Sequence, residues 1–401
     1  MIKNKELIER FFKYVKIDTQ SDEDSETSPT TSKQFDLADV LSEELHELGA
    51  EVVYDKEHCY VYGYVAGTGS IKDAPALGFI SHMDTSPEAS GKDVKPRIIE
   101  NYQGEDFLLK TEEFPELLEH FGEDLIATDG TTLLGADDKA GDAEIMTMLS
   151  HFKNHPEKEH RPIAICFTPD EETGRGTDFF NKDNFKADVA YTVDGGKLGI
   201  IEYECFNAAA AKVSVHGKNV HTGSAKNVMI NSLLVGMEFV HMLPAAERPE
   251  HTENYEGFFH VYEMSGDATE TSMKILIRDH DAKNFEKRKK MLCEAADFLN
   301  EKYGKTVIEL EIKEQYRNMK EVMDHHMDLI ENAMKALKEL GVNGKSEPIR
   351  GGTDGAALSF EGIPCPNLCT GGYNYHSIYE WASIQEMETV TEMLIILATI
   401  L

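Results

Sequence analysis

At 401 residues the chain is long for a single hydrophobic core, so two domains are the natural expectation. Its 73 acidic and 40 basic residues give a formal charge of −33. Such a surface repels phosphate backbones and anionic lipid, which disfavours nucleic-acid and membrane binding. Six cysteines without regular spacing suit reduced thiols in a cytoplasm. Cys365 and Cys369 share a Pro-flanked segment but have no second Cys or His pair nearby, so they read as core thiols.

Met1 to Val15 carries Leu7, Ile8, Phe11, Phe12 and Val15 at helical spacing among charges, an amphipathic helix rather than a signal peptide. A polar loop, Thr19 to Ser32, leads to a second helix over Phe35 to Leu48. Short strands are expected at Glu51 to Tyr54 and Tyr60 to Val65. Ala76 to Ser81 is an apolar run suited to a buried parallel strand, and it ends in His82-Met83-Asp84-Thr85. Ser86 to Leu125 reads as irregular surface chain. Leu134-Gly-Ala-Asp-Asp-Lys-Ala-Gly141 follows, placing Asp137 and Asp138 at the start of a helix that runs to His151. The strand Ile163 to Phe167 ends in Asp170-Glu171-Glu172, and Ala187 to Val193 ends in Asp194-Gly195-Gly196. This alternation predicts a doubly wound α/β sheet, whose ligands collect beyond the carboxyl ends of the strands.

Near Phe206 the pattern changes to an α+β insert with a small antiparallel sheet. Strands are expected at 208–216, 258–264, 271–278 and 307–314, with helices at 227–243 and 282–299. The chain returns to the first domain at about Arg317, with a helix over Met327 to Leu340. The last apolar run, Met393 to Leu401, is too short to span a bilayer.

His82, Asp137, Glu172, Asp194 and His376 offer two imidazoles and three carboxylates, a donor set that zinc and similar ions accept. Five such groups crowd one ion but suit two, about 3.5–4 Å apart and sharing a carboxylate. Asp137, short and held at a helix start, is the best candidate to be shared. Singly, each residue has an ordinary explanation: a helix cap, a turn aspartate, a satisfied histidine. Asp84, two positions after His82, can fix its tautomer. Glu380 can support His376 in the same way. Adjacent acids at Glu171-Glu172 need a cation nearby, and divide naturally into one metal ligand and one proton shuttle.

Taken together these stretches resemble the dinuclear zinc exopeptidases, the family that holds peptidase T and, at greater distance, carboxypeptidase G2 and the succinylase deacylases. The likeness runs end to end and also includes His221-Thr-Gly-Ser-Ala-Lys226, Arg278-Asp-His-Asp281 and Arg350-Gly-Gly-Thr-Asp-Gly355. The last two forms point to the peptidase T branch. The resemblance implies that His82 and Asp194 hold one zinc, Glu172 and His376 the other, and Asp137 bridges them. Glu171 is then the general base, His221 steadies the oxyanion from the insert, and Arg278 and Arg350 grip a peptide carboxylate. Thr222 stands where the family usually has proline, and Ser377-Ile378-Tyr379 replaces its Gly-Lys-His.

The expectation is therefore an α/β zinc-exopeptidase domain, residues 1–206 and 317–401, with an inserted lid or dimerisation domain at 207–316. Its expected activity is release of the N-terminal residue from tripeptides in the cytoplasm, with two Zn2+ (or Co2+ or Mn2+) and a possible homodimer through the insert. A dipeptidase, an N-acyl amino acid amidohydrolase and a non-catalytic peptide or metal binder are the alternatives.

Overall fold

The computed structural model describes residues 5–400, which divide into two compact units. The first comprises the chain up to Tyr203, together with Glu321–Glu347 and the segment from Thr353 onward. Its centre is an eight-stranded mixed sheet in the order Glu51–Asp55, Tyr60–Val65, Ile163–Thr168, Leu77–His82, Val189–Gly195, Asn367–Cys369, Ile200–Glu202, Lys345–Ser346. The middle strands, from Ile163–Thr168 across to Asn367–Cys369, run parallel. The hairpin over Glu51–Val65 joins them antiparallel. Leu77–His82 and Ile163–Thr168 are buried along their whole length, as their continuous apolar sequences require when both faces are covered.

Register brings the site together. His82 lies opposite Thr168, so Glu171 and Glu172 follow directly from the neighbouring strand. On the other side Ile80 lies opposite Thr192, which sets Asp194 level with His82. The helix Ala136–Asn154 is buried along most of its length, and its buried positions include the charged side chains Asp138, Lys139, Asp142 and Glu144 beside small and apolar ones. Gly141 lets its start approach the sheet: a β-carbon there would lie 2.0 Å from the Val193 carbonyl oxygen. No larger residue could bring Asp137 beside Asp194.

The segment expected to be irregular, 86–125, has a core of its own. Arg97–Ile99, Leu125–Ala127, Gly372–Tyr373 and Trp381–Ser383 form a second sheet, covering Tyr102, Leu109, Leu117 and Trp381. Strands of two or three residues carry no readable period, which is why the sequence did not disclose them.

The second unit is Glu204–Lys320 with Pro348–Gly352. Its four-stranded antiparallel sheet has the order Phe258–Gly266, Glu270–Asp279, Asn207–His216, Ile308–Tyr316. Alternate residues Ala209, Ala211, Val213 and Val215 meet Phe285, Leu292, Ala296 and Leu299 of the helix Ala282–Tyr303 in one core. The helix expected from Asn227 begins only at Ser232. Ile230 pairs with Lys218, and the Asn231 side chain caps the amides of Leu233 and Leu234. Pro348–Gly352 joins this unit through hydrogen bonds from the Ile349 amide to the Glu204 carbonyl and from His280 Nε2 to the Ile349 carbonyl. No helix among the described residues is long and apolar enough to cross a membrane.

Candidate active site

His82, Asp137, Glu172, Asp194 and His376 converge at the carboxyl ends of the parallel strands. Asp137 is at the middle: its Oδ1 lies 2.8 Å from His82 Nε2 and its Oδ2 lies 3.2 Å from His376 Nε2. His82 Nε2 is also 3.3 Å from Asp194 Oδ1, and His376 Nε2 is 2.9 Å from Glu172 Oε2. One carboxylate therefore faces two imidazoles, each with a second acid beside it.

Burial and crowding of charge shape these groups. Burial alone would lower the His82 pKa, but Asp194, Asp137 and Asp84 hold it well above the usual imidazole range. For His376 the same opposition, with Asp137 and Glu172 prevailing over burial, brings it up to about 11. Burial, then the Asp137 charge, raises Glu172 to about 8. Asp194 rises to about 6, chiefly through burial. Asp137 is held below the carboxylate range because its two histidine contacts outweigh burial. Burial, with Asp194 next, pushes Glu171 well up, and its carboxylate has no hydrogen bond among the described residues.

Two observations fit a pair of divalent cations. Glu172 Oε1 is buried with no hydrogen-bond partner among the described residues, a costly state that a metal would relieve. The side chains also form two groups compact enough to hold an ion, His82–Asp137–Glu172 and His82–Asp138–Asp194. Asp138 is the residue that sequence reasoning passed over. It is fully buried, joined to Asp137 by a cis peptide bond, and accepts from the amides of His82 (3.2 Å) and Gly141 (3.3 Å). The sequence marks Asp137 and Asp138 alike as acids at a helix start, and no pattern in it gives Asp138 a place in the site.

Asp84 connects three parts of the site. His82 Nδ1 is 3.0 Å from its carbonyl oxygen and 3.3 Å from its Oδ1. Its carboxylate also accepts from the amides of Glu171 (3.0 Å) and Glu172 (3.3 Å). Glu380, expected to support His376, does something else. Its carboxylate receives the amides of Leu134 (2.7 Å), Gly135 (2.8 Å) and Asp137 (3.0 Å). The acid facing His376 Nδ1 is Glu88, at 3.6 Å.

The other three expected residues belong to the second unit. His221 is exposed, and its Nδ1 accepts the Gly223 amide (3.1 Å), which leaves Nε2 as the donor. Arg278 is buried, donates through one Nη to the Ala209 and Ile277 carbonyls, and lies over the Tyr316 ring. Arg350 donates through both Nη atoms to the Asn254, Glu256 and Thr252 carbonyls and the Thr252 hydroxyl, and lies over the rings of Phe206 and Phe258.

Residues 129–399 match the model of peptidase family M20/M25/M40. A protein from Caldanaerobacter subterraneus named peptidase T is 53% identical over 397 residues, covering 97% of each chain. The aminopeptidase PepT structure from Bacillus cereus aligns over 99% of this chain and 98% of its own, with TM-score 0.80 and 21% identity. A Bacillus subtilis protein described as a dinuclear metal binding peptidase of the M20 family aligns over 98% and 96%, with TM-score 0.66 and 12% identity. A parallel-sheet unit with clustered acids and imidazoles at its strand ends, and a separate antiparallel unit, thus accompany sequence identity that spans nearly the whole chain: the protein belongs to the M20/M25/M40 peptidase family, in its peptidase T branch, and is a hydrolase.

Proposed function

We propose that this chain is a metallo-aminopeptidase that releases the N-terminal residue of tripeptides. The observation that carries the reading is the Asp137 carboxylate facing two imidazoles, with a buried, unpartnered glutamate oxygen alongside. His82 and Asp194 would hold one cation and Glu172 and His376 the other, with Asp137 between them. Zinc is the first choice, and cobalt or manganese suit the same donors. When bound, such a pair supplies Lewis acidity that polarises a carbonyl and acidifies water.

The chain's own residues do the rest. Glu171, free of competing hydrogen bonds, takes the proton of the attacking water and passes it to the leaving amine. Asp84 orients the His82 ring and at the same time fixes the main chain that carries Glu171. Recognition of the peptide carboxylate by Arg278 or Arg350, and of the developing oxyanion by His221, belongs to the same proposal. The name borne by relatives at about half identity supports peptides as substrate. Tripeptide, dipeptide and N-acyl amino acid offered side by side test it: turnover of the tripeptide first is expected, and turnover of the acylated amino acid alone would exclude it. Self-association through the second unit is read by sedimentation.

A further inference from the structure

We infer that Glu380 is the positioning residue for Asp137, and so sets the spacing between the two halves of the metal centre; this rests on the dinuclear reading above. The carboxylate is 1% exposed, and three main-chain amides converge on it at 2.7, 2.8 and 3.0 Å. The helix cannot claim these amides. Asp137 (φ −85°, ψ 101°) and Asp138 (φ −124°, ψ 32°) are non-helical, so the regular helix begins only at Lys139. Leu134, Gly135 and Asp137 therefore present donors that a carboxylate must satisfy, and an ionised one does so with charge-assisted bonds.

The same short turn also holds Asp137 from the other side. His376 and Glu380 stand four residues apart, and the turn between them is closed by the Glu380 amide donating to the Ser377 carbonyl (3.2 Å). At one end His376 Nε2 meets Asp137 Oδ2, and at the other Glu380 receives the Asp137 main-chain amide. The turn therefore grips both the carboxylate and the backbone of the residue proposed to be shared. A ligand shared by two ions tolerates displacement poorly, because any shift relaxes one contact as it shortens the other. Outer groups of this kind typically carry about 10–100-fold in metal affinity.

The test is titration of metal-free protein with Mn2+ alone, followed by calorimetry, with the Tm of the metal-free form measured in parallel. Glu380→Gln keeps the shape, but its amide nitrogen must oppose at least one N–H. Wild type is expected to take two ions per chain. E380Q is expected to bind at least one of them about 10-fold or more weakly, with kcat falling and KM nearly unchanged. An E380Q protein that takes both ions at wild-type affinity, while its Tm drops, would reduce Glu380 to an anchor of the helix start and overturn the inference. Should E380Q fail to fold, Glu380→Asp decides, since it keeps the charge on a shorter arm. Weakened Mn2+ binding is again expected, and wild-type affinity again refutes it. A wild type that binds no Mn2+ would instead remove the dinuclear reading itself, whatever the variants do.

Discussion

The polar groups at the strand ends and the arginines of the second unit make an instructive pair. Around Asp137 the acids outnumber the bases, and among the described residues Glu172 Oε1 is buried without a partner and the Glu171 carboxylate has no hydrogen bond. Around Arg350 both Nη atoms rest on carbonyl or hydroxyl oxygens and rings lie on the guanidinium face. A fold that only needed stability would not concentrate unsatisfied carboxylates in its interior. The first region is arranged for something that arrives; in the second, Arg350 is already held by carbonyls and rings of its own unit. Replacing Glu171 by Gln should break the chemistry and leave the arrangement intact. We expect kcat to fall by about 10²–10⁴-fold, with metal content and Tm as in wild type. Undiminished turnover would remove Glu171 from the role of base.

Chelation should act on the first region alone. Bound ions in 100-fold excess over Kd stabilise the form that holds them by about 2.7 kcal/mol, so their removal should lower Tm by several degrees and abolish hydrolysis. Hydrogen exchange locates the effect. Faster exchange is expected at 80–85, 134–141, 168–175, 192–196 and 372–380, with 207–316 unchanged. Uniform loosening of both sets would contradict the contrast.

The two arginines sharpen the comparison within the second unit. Arg350→Ala removes its hydrogen bonds to carbonyls of the 252–256 loop and its contacts with the Phe206 and Phe258 rings, and each such hydrogen bond is worth about 0.5–1.5 kcal/mol net. A clear fall in Tm is expected. Among the described residues Arg278 has one Nη committed, to the Ala209 and Ile277 carbonyls. Arg278→Ala is therefore expected to show itself more in KM for a tripeptide than in Tm. The reverse pattern would exchange their roles.

Much of this was readable before any coordinates. His82, Glu172 and Asp194 each terminate an apolar run, and the end of a buried parallel strand is where a polar side chain has to have a reason. Asp137 was readable as a short acid held at a helix start, where small neighbours let the backbone turn. What escaped the sequence is what depends on long-range main-chain contacts. Glu380 reaches amides about 245 positions away, and no side-chain pattern marks an amide as unsatisfied. Pro348–Gly352 joins the second unit by backbone pairing with Glu204, although its motif reads as part of the returning domain. Glu88 sits in a stretch with no period, and nothing in it points toward His376.

Glu144 supplies the last and smallest test, because it is unsatisfied without being crowded. Both its carboxylate oxygens are buried and lack partners among the described residues, and burial raises its pKa well above the usual range. At the strand ends the unsatisfied acids have imidazoles and other acids around them, which a cation can complete. For Glu144 burial is the cause of the rise, and the simplest way to complete it is to keep its proton. Its folded pKa lies above its unfolded one, so the folded state binds the extra proton. Stability is then full below the unfolded value, near 4.5, and declines as pH rises toward the folded pKa. Within that window the loss is at most about 1.4 kcal/mol per pH unit. Glu144→Gln cannot ionise, so its Tm should match wild type near pH 5 and exceed it by a few degrees at pH 8, with turnover at a fixed pH little altered. If the gain is as large at pH 5 as at pH 8, Glu144 is not the group that titrates. If turnover or Mn2+ affinity falls with it, the line drawn between acids that await a cation and an acid that merely stays neutral has been put in the wrong place.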